Sequence, residues 1–126
     1  MKYLIKLLEE RFDTPISEFT SIYWDNISKD KELELSEDFI REYQDKVNWT
    51  WISKYQKLSE DFMREFQDKL YWPYISRYQK LSEDFISEFI DKVNMFYVSE
   101  FQNVSSDFII SRSALVLADY QMTKNW

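Results

Sequence analysis

The sequence predicts an all-α fold, a short solenoid of stacked helical hairpins closed by capping helices. First, a 23-residue unit repeats without slippage over residues 35–57, 58–80 and 81–103, and self-similarity at such a period marks a stacked-repeat architecture. Second, apolar residues inside each unit recur at helical spacings, and the strict alternation of a strand is absent. Third, the chain has no glycine and two prolines in 126 residues, so the usual residues of hairpin turns, phosphate loops and flexible linkers are missing. With 44% apolar and 19% aromatic residues, one domain spanning 1–126 has enough large side chains for a core that buries roughly two-thirds of its unfolded surface.

The first element is an opening helix, MKYLIKLLEERF, with Tyr3, Leu4, Leu7, Leu8 and Phe12 on one side. Lys6 and two acidic residues interrupt its apolar run, so it does not read as a signal peptide, and no stretch approaches the roughly 18 apolar residues of a membrane span. Those features suggest a cytoplasmic protein, of the source cell or its host, without a membrane partner. Residues 13–34 read as a degenerate first repeat, in which Ile16-Ser17-Glu18-Phe19 parallels Ile86-Ser87-Glu88-Phe89, and Trp24 and Ile27 are spaced like Trp49 and Ile52. Thr14 is the expected cap ahead of Pro15, and residues 1–34 together form an N-terminal cap and degenerate repeat.

In the middle copy Leu58, Phe62, Met63, Phe66 and Leu70 lie along one face of a first helix. Ser59 is its expected N-cap, Glu60 and Asp61 suit the positive end of the dipole, and Glu65 and Lys69 stand as an i, i+4 pair. A second helix is expected from about Pro73 to Gln79, the proline taking a first helical position, with Ile75 and Tyr78 as its apolar edge. Four columns are apolar in every copy and read as core: Phe39, Phe62, Phe85 and Phe108; Ile52, Ile75 and Val98; Tyr55, Tyr78 and Phe101; Leu58, Leu81 and Val104. Residues 104–126 form a degenerate terminal repeat and cap, since Val104-Ser105-Ser106-Asp107-Phe108 restarts the unit and a small, aliphatic stretch follows. A single hairpin of this size cannot bury its apolar face alone, whereas stacked neighbours share a continuous core.

The segment Trp51 to Trp72, WISKYQKLSEDFMREFQDKLYW, resembles a tandem repeat of about 23 residues met in uncharacterised viral, phage and microbial proteins, and the resemblance covers residues 35–110. It implies an interaction scaffold and brings no catalytic residues with it.

Absence of histidine and cysteine removes the commonest general base, the commonest metal ligand and the best side-chain nucleophile. The chain therefore reads as no enzyme, with no cofactor and no metal. Glu37-Asp38, Glu60-Asp61 and Glu83-Asp84 recur once per unit at a helix start, where the dipole accounts for all three pairs together. Direct nucleic-acid binding is not expected of a chain of net charge −7, because phosphate would be repelled. Copies one and two balance four acidic against four basic residues, while copy three carries five acidic residues against Lys92. That asymmetry suits a partner with a basic surface, although it also serves solubility.

The column Trp51, Tyr74 and Tyr97 lies two residues beyond Trp49, Trp72 and Met95, so the two columns point about 200° apart on a helix. Either both are absorbed at the helix junction, or one forms an outward strip of the kind that anchors interfaces. Candidate partner-binding residues are thus Trp51, Tyr74 and Tyr97, with the acidic Glu83, Asp84, Glu88 and Asp91. The expected function is a non-enzymatic protein–protein interaction module, plausible for a phage or virus, that occludes or scaffolds a partner protein. Two alternatives stand beside it: an acidic inhibitor occupying a host nucleic-acid site in the manner of an anti-CRISPR or DNA mimic, and a structural homo-oligomer.

Overall fold

The structure, a computed structural model, describes residues 1–124; residues 125–126 of the terminal repeat lie outside the described residues. It is all-helical, with no strand among the described residues. In chain order the α-helices are α1 (Lys2–Phe12), α2 (Ser21–Ser28), α3 (Glu37–Glu42), α4 (Trp49–Tyr55), α5 (Glu60–Glu65), α6 (Trp72–Tyr78), α7 (Glu83–Glu88), α8 (Met95–Phe101), α9 (Ser106–Ile110) and α10 (Ser113–Lys124), with a 3-10 helix at Ile16–Glu18. The second helices touch in sequence, α2 on α4, α4 on α6, α6 on α8 and α8 on α10, an order compatible with a solenoid of hairpins.

Helices of six or seven residues are too short to persist alone in water, so capping and packing must hold them. Ser36, Ser59, Ser82 and Ser105 accept through Oγ from the backbone N–H of Phe39, Phe62, Phe85 and Phe108 at 3.1–3.2 Å, each cap contributing about 1 kcal/mol. Asn48 and Asn94 cap α4 and α8 through their side-chain oxygens. Tyr71, in the same column, cannot cap, and there Tyr74 N–H turns to the Tyr71 carbonyl at 3.1 Å while Pro73 removes a donor from the first turn.

The first helix of each unit ends sooner than its apolar stripe predicts. α5 stops at Glu65 and Leu70, though buried, sits beyond a turn. Side chains take up carbonyls at this end: Gln67 Nε2 donates at 3.1 Å to Arg64 O, which a longer helix would use, and the Trp72 indole donates to Gln67 O at 3.0 Å. The expected Glu65–Lys69 pair is not made either. Glu65 accepts from Arg41, and Lys69 reaches Asp45 at 3.5 Å.

Phe39, Phe62 and Phe85 are essentially fully buried, as are Ile40, Met63 and Ile86 beside them. Each phenylalanine lies between the tryptophan of the preceding unit and an aromatic one turn on; Phe62 meets Trp49 at 6.2 Å and Phe66 at 4.6 Å, and Phe85 meets Trp72 at 6.2 Å and Phe89 at 4.8 Å. Trp24 plays that part for Phe39 at 6.2 Å, in keeping with a degenerate first unit. Of the four columns read as core, that of Tyr55, Tyr78 and Phe101 is not one: Tyr78 is 41% and Phe101 50% exposed. The inner face of α4 and its C-cap is already filled by Trp49, Ile52, Ser53 and Gln56, leaving Tyr55 half-buried on the other side. The opening helix is also turned from its expected face. Leu8 is buried with Leu4, Ile5 and Phe12 partly so, while Tyr3 and Leu7 are exposed. Thr14 caps nothing and donates to the Phe12 carbonyl at 2.8 Å.

Polar ladders join one unit to the next. Gln79 accepts the Leu58 N–H at 3.1 Å and donates to the carbonyls of Ser53 and Gln56 at 2.9 and 2.7 Å, and Gln56 and Gln102 repeat the role one unit before and after. Ser28, Ser53 and Ser76 accept the N–H of Asn48, Tyr71 and Asn94. No buried side-chain nitrogen or oxygen among the described residues lacks a partner, which is what burial of these groups demands.

Candidate docking face

The outward side of α4, α6 and α8 is built from three trios. Trp51, Lys54 and Tyr55 stand at i, i+3 and i+4, as do Tyr74, Arg77 and Tyr78, and Tyr97, Glu100 and Phe101, so each trio shares one helix surface. Ile52, Ile75 and Val98 are fully buried on the inner side, which turns the trios away from the core.

Within the rungs, ring centroids lie 5.9 Å apart for Trp51–Tyr55, 5.7 Å for Tyr74–Tyr78 and 6.2 Å for Tyr97–Phe101. Cations bridge the rungs. Lys54 Nζ is 5.0, 5.4 and 5.1 Å from the ring centroids of Tyr55, Tyr74 and Tyr78, and the Arg77 guanidinium is 5.0 Å from Tyr78 and 4.6 Å from Phe101. Such contacts contribute about 0.5–1 kcal/mol each at exposed sites. The neighbouring Tyr55 hydroxyl is the chief influence holding Lys54 above the ordinary lysine value, and Lys54 is charged at neutral pH. Tyr71, 40% exposed, extends the surface beside Tyr74 at 4.8 Å. Lys57 and Lys80, both exposed, each lie two residues beyond the ends of α4 and α6, and a cleft of about 480 Å³ lined by Tyr55, Lys57, Lys31, Glu34 and Glu37 opens beside the first rung.

Trp51, Tyr74 and Tyr97 are all half-buried, while Trp72 and Met95 are buried and Trp49 half-buried against the core. The two columns do point apart, and the column two residues further on is the one facing outward. The four acidic candidates are not brought together with the aromatics. Glu83 accepts the Ser105 N–H at 2.9 Å, as Glu60 and Glu37 do for Ser82 and Ser59. Glu88 is a partner of Arg64 Nε at 3.0 Å, repeating the two-bond grip of Arg41 on Glu65. That grip raises both arginines and holds the Glu65 carboxyl below its usual range. Asp84 and Asp91 differ, having no ion-pair partner among the described residues. Asp38 and Asp61 pair with the arginine three residues on, but Ser87 stands at that place in copy three; Asp45 and Asp68 pair with Lys69 and Lys92, and Leu115 stands where the next lysine would.

Lys54, Arg77, Tyr55 and Tyr78 were not singled out as site residues from sequence. Their i+3 and i+4 spacing from Trp51 and Tyr74, kept over a full repeat, is the signal that marks them. No protein-family model, curated protein or solved structure matches the chain.

Proposed function

We propose that the protein is a non-enzymatic interaction module that docks a partner protein across the outward face of α4, α6 and α8 and acts by occlusion or scaffolding. The observation that carries this reading is the surface of three aromatic rungs from Trp51 to Phe101 bridged by Lys54 and Arg77, where Tyr71, Tyr78 and Phe101 each keep 40% or more of their area in solvent. Tyrosine and tryptophan bring large contact area at low entropic cost, and three rungs in register offer one broad surface. The resemblance of the repeat to those of viral and phage proteins is in keeping with such a role. Copy-selective acidity favours a second reading, charge mimicry at a nucleic-acid site of a host protein, because Asp84 and Asp91 remain free of the ladder that absorbs Glu83 and Glu88.

The experiment is affinity capture from the source cell or its host with the wild-type chain, Trp51→Ala/Tyr74→Ala and Asp84→Lys/Asp91→Lys. The docking reading requires capture to fail with the aromatic variant and to depend weakly on salt. Charge mimicry requires loss with the lysine variant and a steep decline as the Debye length falls below about 10 Å. A stable oligomer that captures nothing would point to a structural assembly.

A further inference from the structure

Resting on that docking reading, we propose that the partner presents an acidic, extended polypeptide segment to this face, its carboxylates over Lys54, Lys57, Arg77 and Lys80 and its carboxylate run ending before Glu100. The net charge of −7 suggests a basic partner, but at physiological ionic strength the Debye length is about 8 Å, so a docked segment senses the local charges. Locally the sign is reversed. Lys54 and Arg77 lie between the rungs, Lys57 and Lys80 are exposed at the ends of the same helices, and Glu100 is the sole acid of the outward trios. The chain's recurring acids are elsewhere: Glu37, Glu60 and Glu83 hold the serines of the following unit, while Glu65 and Glu88 grip arginines. Glu37 and Glu34 do share the cleft with Lys57, where Lys31 offsets them.

The chemistry favours polypeptide over single-stranded nucleic acid, the other polyanion that aromatic surfaces bind. Base stacking uses open ring faces, and at Tyr55, Tyr74, Tyr78 and Phe101 a cation of this chain already lies over one face of the ring. A continuous phosphate backbone would also have to pass Glu100, while a polypeptide can change charge along its length. Packed helices lie about 8–10 Å apart, so three rungs span about 20 Å, or six to seven extended residues at about 3.3 Å each. Glu100 gives the segment a direction, acid toward α4 and neutral or basic toward α8.

The test is fluorescence anisotropy with labelled peptides of about ten residues, one alternating glutamate with phenylalanine and tyrosine, one with lysine in place of glutamate, and an oligothymidylate. Saturable binding of the glutamate peptide is expected. Lys57→Glu/Lys80→Glu should weaken it by about fivefold or more, and Glu100→Lys should strengthen it by about threefold, these being the sizes of small surface charge terms. The Lys57/Lys80 pair is chosen because neither residue clasps a ring, and unchanged thermal melting of that variant confirms that folding is not the cause. Tighter binding of the lysine peptide, weaker binding by Glu100→Lys, displacement of the peptide by oligothymidylate, or no saturation up to about 1 mM overturns the inference. A captured partner lost with Trp51→Ala but indifferent to Lys57→Glu/Lys80→Glu would leave the docking reading standing while this inference falls; one indifferent to Trp51→Ala would remove the docking reading itself.

Discussion

Replacing Gln79 by leucine leaves a side chain of similar size in the core but strips three buried backbone groups of their partner. The Leu58 N–H loses its acceptor at 3.1 Å, and the carbonyls of Ser53 and Gln56 lose donors at 2.9 and 2.7 Å. An unsatisfied buried group costs about 1–3 kcal/mol, the donor being the less forgiving since a carbonyl keeps a second lone pair. With Gln79 only 6% exposed, water can do little to replace those bonds. The sum is about 3–5 kcal/mol, a large part of the roughly 5–15 kcal/mol that stabilises an ordinary domain. Gln102 makes the same three bonds in a half-buried setting beside the terminal unit, so Gln102→Leu should cost about 1–2 kcal/mol. Gln79→Glu keeps the acceptor for Leu58 but sets a carboxylate against two carbonyls, which with burial raises its folded-state pKa, so its defect should shrink as the pH falls toward the unfolded glutamate value of about 4.3 and the carboxyl gains a proton. Urea melts followed by circular dichroism measure all three. A Gln79→Leu midpoint within about 0.5 kcal/mol of wild type, or equal losses at Gln79 and Gln102, would refute the view that the glutamine ladder holds successive units together.

Phe62→Ala should cost about 3–5 kcal/mol, because it empties a site enclosed by Trp49 and Phe66. Phe108→Ala should cost less in the same melts, since Phe108 is 8% exposed and lies under the Arg112 guanidinium at 3.8 Å where the inner units place an aromatic ring. Acidification should destabilise the fold through two carboxyls. Arg41 holds Glu65, and Arg11 holds Asp30, below their ordinary values of 4.5 and 3.8; folded values below the unfolded ones contribute stability above those ordinary values and lose it as the pH falls through the lowered ones. The chemical midpoint should therefore begin to drop as the pH falls below about 5, and Glu65→Gln should flatten that drop.

Much of the fold was legible because repetition turns one chain into its own alignment. Columns that stay large and apolar through every unit mark the interior, and those of Phe62 and Ile75 lie there. The column of Tyr78 met the same test and yet lies outside, because an aromatic can remain invariant by clasping the cation of the neighbouring unit as well as by entering the core. Glu83 and Glu88 read as free acids for a related reason. A single helix displays its i+3 and i+4 neighbours, whereas their partners stand 22–24 residues away. The constant offset of 24 from Arg41 to Glu65 and from Arg64 to Glu88 is the trace that pairing leaves in the sequence.

What the sequence determined alone are the features set by interactions within about four residues: the helical class, the serine caps with their acidic first turns, and the inward direction of Phe39, Phe62 and Phe85. The period of 23 residues also settled that units must share a core, since no single hairpin could bury its own apolar face. Tertiary structure decided where each first helix stops, which charges pair, and that Lys54 and Arg77 lie between aromatic rungs. These depend on the placement of one unit against the next. Local propensity favours a helix through Leu70, yet α5 stops at Glu65, where the Arg64 carbonyl, which a longer helix would offer to the Asp68 N–H, accepts from the Gln67 amide, and the Trp72 indole bonds to the Gln67 carbonyl.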